Sequence, residues 1–284
     1  MSHGRSVIRS TCLHLVLACG ACASGAAAAQ HSPALDRASL WIGGFYAAGD
    51  TTLHARTLDG SNFGNVHLED DLGFRRRAWT QRLRADFLVG DSQGFTFDFY
   101  RYRRARSTTL DHSIVYQGIT YDAQASVQAR LGFDFGSAAY RWWIGSGRDV
   151  LGIGLGAGYY RVDASIRGQG SLNGLAGYGV VTGQAQSSTD DSAWAPLLQF
   201  GWRHAFGDHW RMYLNAAGVK KNGGRLYGHV YRAALGVQWF ALRHFGISAE
   251  YGINRVRLWQ RHAGYDDSLD LKLDGPSVFA TLRF

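Results

Sequence analysis

The chain has 284 residues, 37 glycines, only 3 prolines and an aromatic content of 13%. Its formal net charge is +8 at pH 7. No stretch approaches the roughly 18 apolar residues that a membrane-spanning helix needs. The three cysteines are Cys12, Cys19 and Cys22, so the chain beyond them can supply no cysteine nucleophile, thiolate metal site or disulfide.

The first 29 residues have the pattern of a secretory leader. Arg5 and Arg9 give a positive start, and an apolar stretch follows over residues 11–21. Three alanines then form a small-x-small cleavage site that ends at Ala29. We therefore expect a signal peptide over residues 1–29, removed on export.

Residues 30–284 are the predicted mature domain. Without the leader, 28 basic residues remain against 22 acidic ones, a balance of +6. We expect no nucleic-acid partner, because an exported protein meets lipid phosphates instead. The alternative processing is a lipoprotein cut before Cys19 or Cys22, although the residues before Cys19 make a poor lipobox.

Apolar and polar side chains alternate in ten segments, the period of half-buried strands. In chain order, the predicted strands begin near Leu40 and then cover residues 75–89, 95–100, 123–144, 151–159, 194–203, 210–215, 231–239, 247–254 and 275–284. The alternation changes phase within the fourth strand, so we predict a β-bulge near Gly136. Residues 168–191, rich in Gly, Ser and Gln, are predicted to be a loop.

The connections alternate in length. They are long after strands one, three, five and nine, short after strands two, four, six and eight, and intermediate after strand seven. Short periplasmic turns and longer outside loops are typical of outer-membrane barrels, with both termini in the periplasm. Residues 114–121 and 174–181 are candidates for further strands, so twelve strands, or eight if two merge, are the alternatives to ten.

The last strand carries Val278, Ala280, Leu282 and Phe284 on one face and mostly polar residues on the other. This pattern resembles the closing strand of bacterial outer-membrane β-barrels, in which it is similar to the segment that the assembly machinery reads. The resemblance implies an all-β fold, a transmembrane antiparallel up-and-down β-barrel, in the outer membrane of a Gram-negative cell. It also implies contact with outer-membrane lipid, lipopolysaccharide and the barrel assembly machinery. A soluble β-sandwich would explain the alternation of side chains, but not the leader, the unequal connections and the terminal Phe together.

Tryptophans near strand ends fit the aromatic girdles of such a barrel. They are Trp79, Trp142, Trp143, Trp194, Trp202, Trp210, Trp239 and Trp259.

The predicted lumen face is strongly charged, because arginine at the lipid midplane costs roughly 2–4 kcal/mol. It carries Arg82, Arg84, Asp86, Asp98, Arg203, Arg211, Arg232 and Glu250, together with Gln199, Asn215 and Asn254. An ion-pair network that fills the barrel is one interpretation. A small anion-preferring pore is the alternative. The glycines of the fifth strand leave space, or accommodate large neighbours.

A second basic group lies toward the predicted outer ends of strands three and nine. Arg101 and Arg103 follow the apolar face of strand three, and Arg255 and Arg257 follow the apolar face of strand nine. We predict that these four arginines pair with lipopolysaccharide phosphates. Plain solvated strand ends are the alternative interpretation.

Catalysis is a further alternative, since some outer-membrane barrels are proteases or lipid A deacylases. Candidate groups are Asp111–His112, His262 with Asp266 and Asp267, and the acidic run Glu69–Asp71. Spacing fixes no geometry here, and no omptin-like or deacylase-like motif occurs. We predict a structural or cell-surface interaction role, with no cofactor, and leave partner, solute and oligomeric state open.

Overall fold

The computed structural model describes residues 32–58, 62–117, 119–172 and 181–284. The predicted signal peptide lies outside these residues. The strands, in chain order, are β1 (Ala38–Thr57), β2 (Asn62–His67), β3 (Arg77–Leu88), β4 (Gln93–Thr109), β5 (Ile114–Tyr116), β6 (Ile119–Tyr121), β7 (Ser126–Ile144), β8 (Asp149–Leu172), β9 (Val181–Ala205), β10 (Trp210–Lys221), β11 (Leu226–Trp239), β12 (Phe245–Arg261) and β13 (Tyr265–Arg283). No helix in the described ranges is long and apolar enough to cross a membrane.

Ten of these strands form a closed antiparallel barrel. Each of β3, β4 and β7 to β12 pairs with its neighbours along the chain, and β1 pairs with both β3 and β13. The closing pair runs from Ser39–Arg283 to Thr57–Tyr265. The all-β fold, the up-and-down topology and the count of ten are confirmed. The short strands β2, β5 and β6 lie in the connections and outside the ring.

The connections differ at the two ends of the barrel. One end, the turn end, has short links over residues 89–92, 145–148, 206–209 and 240–244. The first and last strands also meet there, where the Ala38 amide donates to the Phe284 carbonyl at 3.1 Å. The opposite end, the loop end, carries β2, β5 and β6 and the extended parts of β8, β9, β12 and β13.

Apolar side chains cover the outer surface of the half that contains the turn end. On β8 this band runs from Leu151 to Tyr159, roughly 26 Å along the strand and roughly 20 Å along the axis at the usual tilt. The height suits a membrane. Exposed members are Ile42, Leu83, Phe87, Phe95, Phe97, Phe99, Leu151, Ile153, Leu155, Leu198, Phe200, Leu235, Val237, Ile247, Ile253 and Val278.

Aromatic residues flank this band on both sides. Pairs at the loop-end border are Tyr46–Trp79 and Tyr159–Trp194, and Trp210–Trp239 lies at the turn end. Two predicted girdle residues are elsewhere. Trp143 points into the barrel and is buried, because odd-numbered residues of β7 face inward. Trp259 lies beyond the band, since the apolar outward face of β12 ends at Ile253 and Arg255 and Arg257 follow.

Beyond the band, the polarity of the two barrel faces is reversed. Odd-numbered residues of β7 face inward along its whole length, so Leu131, Phe133 and Phe135 are buried while Tyr140 and Trp142 face outward. The predicted bulge near Gly136 is therefore wrong. Pairing of β7 with β4 and β8 continues without a register shift, and the change of phase marks the passage from lipid to water.

The loop half of the barrel has a core like that of a soluble protein. Its interior members include Leu53, Val66, Leu68, Leu72, Phe74, Tyr116, Tyr121, Val127, Leu131, Phe133, Val162, Ile166, Leu226, Val256, Leu258, Leu269 and Leu271. From Arg161 to Leu172, β8 continues beyond the band by roughly 40 Å along the strand. Much of the predicted loop at residues 168–191 belongs to β8 and β9. The side chains there are small and polar, so no apolar alternation indicated a strand. Residues 173–180 lie outside the described residues.

Candidate functional site

The turn end of the barrel interior is closed by the segment that precedes β1. Ala34 and Leu35 pack against Trp143, Val150 and Ala205. The hydroxyl of Ser32 donates to the Gly147 carbonyl at 2.7 Å. Residues 32–36 therefore enter the mouth of the barrel and cover its interior.

Two buried arginine pairs lie next to this segment. Arg211 binds Asp36 through both guanidinium Nη atoms, with N–O distances of 2.5 and 2.9 Å. Arg203 contacts Asp86 at 2.6 Å. Each arginine is thus held by a carboxylate, one of which comes from the N-terminal segment.

The middle of the interior is occupied by a second network of charged side chains. Asp98 accepts a hydrogen bond from Arg82 at 2.9 Å and forms an ion pair with Arg232 at 2.7 Å. Glu250 accepts from Arg82 at 2.5 Å and from Arg84 at 3.3 Å. These two acids link β3, β4, β11 and β12. The Asp98–Arg232 pair spans the barrel, because β4 and β11 lie opposite each other in the ring of ten strands.

Aromatic rings fill the space around the network. Trp41, Tyr213 and Phe279 form a buried cluster, and the Arg84 guanidinium lies 4.7 Å from the Trp41 ring centre. Tyr213 donates its hydroxyl hydrogen to Glu250 at 2.9 Å. A delocalised guanidinium against an aromatic face is a favourable arrangement when water is excluded.

Inward glycines accommodate these large side chains. A Cβ at Gly152 would lie 2.8 Å from Trp143, and one at Gly236 would lie 2.5 Å from Tyr213. The glycines of β8 and β11 therefore face occupied space. All eight predicted lumen residues are inside the barrel, and Gln199, Asn215 and Asn254 lie with them.

Three interior groups were not recognised in the sequence. Trp41 lies in a strand that is apolar on both faces, so the sequence did not indicate whether its side chain faces the interior or the outside. Arg141, an inward residue of β7 near the turn end, is buried and donates to Gln199 at 2.6 Å. Residues 32–36 precede the first predicted strand and have no alternating pattern, yet Ala34 and Leu35 are buried.

A small polar cluster closes the apolar core at the loop end. Asp267, 4% exposed, accepts from Gln117 at 2.6 Å and from Thr189 at 3.1 Å. His262 Nε2 is 3.2 Å from the same carboxylate. Burial raises the pKa of Asp267, and its polar neighbours oppose that shift.

The other sequence candidates for catalysis are dispersed. His112 contacts Asp71 at 3.4 Å, whereas Glu69 binds Arg104 at 3.0 Å and the Thr51 amide at 2.8 Å. Burial raises the pKa of Glu69 despite these partners. No contact within the described part of the chain joins either group to His262, and no group of three metal-binding side chains occurs there.

The four arginines predicted to bind lipopolysaccharide lie on the outer surface just beyond the apolar band. Arg101 and Arg103 both contact Asp134, at 3.2 and 2.8 Å. Arg257 contacts Asp270 at 2.9 Å. Arg255 lies opposite Lys272 on β13 in the strand register. All four arginines are exposed.

Comparison with known proteins shows which fold this geometry belongs to. No model of a known protein family and no curated protein matches the chain. Among solved structures, the outer membrane protease OmpT from Escherichia coli is similar, with 10% identity, a TM-score of 0.57 and coverage of 87% of this chain and 96% of OmpT. The chain has the fold of a bacterial outer-membrane β-barrel.

Two further structures of this class align over most of their length. The outer membrane protein OprG from Pseudomonas aeruginosa is 9% identical with a TM-score of 0.39, covering 89% of this chain and 98% of OprG. The attachment invasion locus protein Ail of Yersinia pestis is 12% identical with a TM-score of 0.28, covering 85% and 99%.

In this barrel, the residues predicted to form the assembly signal share one surface. Val278, Ala280, Leu282 and Phe284 are exposed on the outward face of β13. Their partner strand in the closing pair is β1. Phe284 also stacks against His244, with ring centres 5.7 Å apart.

Proposed function

We propose that this protein is a non-conducting outer-membrane barrel that acts at the cell surface through its loop half. The observation that carries the proposal is the continuous filling of the interior. Residues 32–36 cover the turn end, arginine–carboxylate networks occupy the middle, and an apolar core follows toward the loop end.

The interior arginines do not resemble the lining of an anion pore. A pore needs charges that face water and release ions, whereas Arg82, Arg203 and Arg211 are buried and held by carboxylates. Small barrels have interiors that side chains can fill. This barrel does so with charge in its membrane half and apolar side chains beyond it.

Single-channel recording tests the proposal. Refolded protein in a planar bilayer is expected to give no steady current, with heat-dependent gel mobility as proof of folding. Steady anion-preferring steps that decrease in Arg82→Ala or Arg232→Ala would identify a pore instead.

We also propose that the turn end and both termini face the periplasm. The mature chain has no cysteine of its own, so single cysteines report position cleanly. Ser188→Cys on the outer face of the loop half is expected to react in intact cells with a membrane-impermeant maleimide. Ser92→Cys, in a short turn, is the matched control and is expected to react only after lysis. The reverse pattern would invert the orientation.

Lipopolysaccharide is the proposed partner of Arg101, Arg103, Arg255 and Arg257. These side chains are exposed just beyond the apolar band, where lipid phosphates lie, and arginine binds phosphate through two parallel hydrogen bonds. Alanine at all four positions is expected to reduce the stabilisation of the refolded protein by added lipopolysaccharide. Arg148→Ala at the turn end is the control and should leave it unchanged.

A peptidase role is the second candidate. The contact between His262 and Asp267 at the loop end favours it, since an oriented imidazole can act as a general base. Hydrolysis of a peptide library by the refolded protein, lost in His262→Ala, would support this role. Equal turnover by His262→Ala would reject it.

A further inference from the structure

A groove crosses the outer surface of the loop half, over β1, β12 and β13. Its volume is about 390 Å³, within the range of small-molecule sites. We call it the Trp259 groove. Its lining includes His54, Arg56, Leu58, Trp259, Asp266 and Ser268.

One wall of the groove continues into a cluster of stacked aromatic rings. Trp259 and Tyr227 are cross-strand neighbours whose rings are 5.8 Å apart and nearly parallel, at 16°. His229 lies 5.8 Å from Trp259, and the Arg261 guanidinium lies 5.0 Å from the Tyr227 ring centre. Outward aromatic rings beyond the membrane band have no lipid to face, so ordinary girdle packing does not account for them.

The rest of the lining supplies paired donors and acceptors. Asp266 lies between Arg56 and Arg261 in the registers of the two adjacent strand pairs. Asp266 Oδ1 and Asp267 Oδ1 are buried, and neither has a hydrogen-bond partner among the residues that the structure describes. Buried acceptors of this kind are costly unless something donates to them.

Burial and the nearby Arg56 charge lower the pKa of His54. The imidazole is therefore neutral at physiological pH, with one donor and one acceptor nitrogen. The groove thus combines an aromatic platform with carboxylate acceptors, guanidinium donors and an amphoteric ring.

We propose that the Trp259 groove binds a saccharide. A pyranose ring has C–H groups of partial positive charge on its face, which suit the negative face of an aromatic ring. Its hydroxyl edges both donate and accept, which suits adjacent Asp266 and Arg56. A fatty acyl chain would leave the buried carboxylate oxygens without donors.

The position of the groove agrees with this ligand class. Trp259 is two residues beyond Arg257, roughly 7 Å along β12 and further from the membrane. Sugar at this height has two sources. One is the core of lipopolysaccharide whose phosphates lie nearer the membrane, and the other is a soluble saccharide outside the cell. The inference deepens the proposed surface role and rests on it.

Saturation-transfer NMR and calorimetric titration on refolded protein in lipopolysaccharide-free micelles test the proposal. The two probes are a deacylated, dephosphorylated core oligosaccharide from rough-type lipopolysaccharide and maltoheptaose, a neutral soluble glucan. We expect at least one probe to bind, and Trp259→Ala and Asp266→Ala each to weaken that binding by about tenfold or more.

Trp194→Ala is the matched control, because Trp194 is also an outward tryptophan but lies outside the groove. The Trp194→Ala variant is expected to bind the saccharide probe with the same affinity as the wild type. Binding of the core alone assigns the site to lipopolysaccharide, and binding of maltoheptaose assigns it to soluble sugar.

Two outcomes would overturn the saccharide site. They are no binding of either probe up to about 10 mM, and equal loss in Trp259→Ala and Trp194→Ala. Heat-dependent gel mobility shows whether each variant has folded. A silent barrel that binds no sugar rejects only the groove, whereas a conducting barrel rejects the proposed function independently of sugar binding.

Discussion

Phe135 and Tyr140 lie five residues apart on β7, yet Phe135 packs inside the barrel and Tyr140 faces outward. Phe135 stacks on Tyr100 with ring centres 5.4 Å apart, and Tyr140 contacts Phe95 at 5.0 Å. The strand between them is regular. A single β-strand therefore has its apolar face inward beyond the membrane band and outward within it.

This reversal predicts that equal aromatic deletions have unequal effects in the two halves. Phe133 is fully buried in the loop-half core. Phe133→Ala is expected to lower the free energy of unfolding by roughly 3–5 kcal/mol, because apolar burial is lost and a cavity remains. Urea titration of the refolded protein, followed by tryptophan fluorescence, measures this cost.

Phe97→Ala is the matched control for that measurement. Phe97 faces outward in the membrane band and is 43% exposed, so lipid or detergent can fill the space that it leaves. A smaller loss is expected. An equal or larger loss in Phe97→Ala would contradict the assignment of the two faces.

The central network predicts a strong effect of removing one carboxylate charge. Asp98→Asn would leave Arg82 and Arg232 without their shared ionic partner, and breaking a buried pair costs roughly 3–5 kcal/mol. The exposed pair Arg161–Asp190 provides the control. Asp190→Asn is expected to cost at most about 1 kcal/mol. Comparable losses in the two variants would show that the lumen network is hydrated.

The barrel could be predicted from the sequence because the strands of its membrane half alternate apolar residues with small or polar ones. Outward faces such as Leu151 to Tyr159 alternate cleanly with small or polar inward residues, so strand number and order followed directly. The loop half was harder. There the outward face is polar, and in β9 Ser187 and Thr189 make the inward face polar as well, so hydrophobic periodicity gave no strand signal.

Interior contacts were predictable in kind but not in partner. Period-two alternation places Arg82 and Glu250 on inward faces, but their contact joins residues 168 positions apart. The Asp36–Arg211 pair depends on a segment outside any strand. The Trp259 groove requires the registers of β1, β12 and β13 together, which strand periodicity does not supply.

The rim carboxylate predicts a pH dependence of stability. Burial raises the pKa of Asp267 in the folded protein above its unfolded value. The folded state therefore holds more protons between these two pKa values, and this residue's contribution to stability falls as pH rises through that window. The groups facing it are Gln117, Thr189 and His262.

Asp267→Asn removes this titration and isolates the effect. Its urea midpoint relative to the wild type is expected to rise as the pH increases above about 4, the unfolded-state pKa of Asp, because only the wild type acquires the buried charge. A difference between Asp267→Asn and the wild type that stays constant with pH would contradict the prediction.

The last strand predicts a defect in assembly that is separate from stability. Phe284 is 67% exposed and contacts mainly His244, so Phe284→Ala is expected to change the stability of refolded protein only slightly. Its yield in the outer membrane should fall several-fold if the assembly machinery reads the outward aromatic side chain. Phe206→Ala removes another exposed aromatic at the turn end, 60% exposed, and should assemble normally. Equal outer-membrane yields for the two variants would contradict a signal at Phe284.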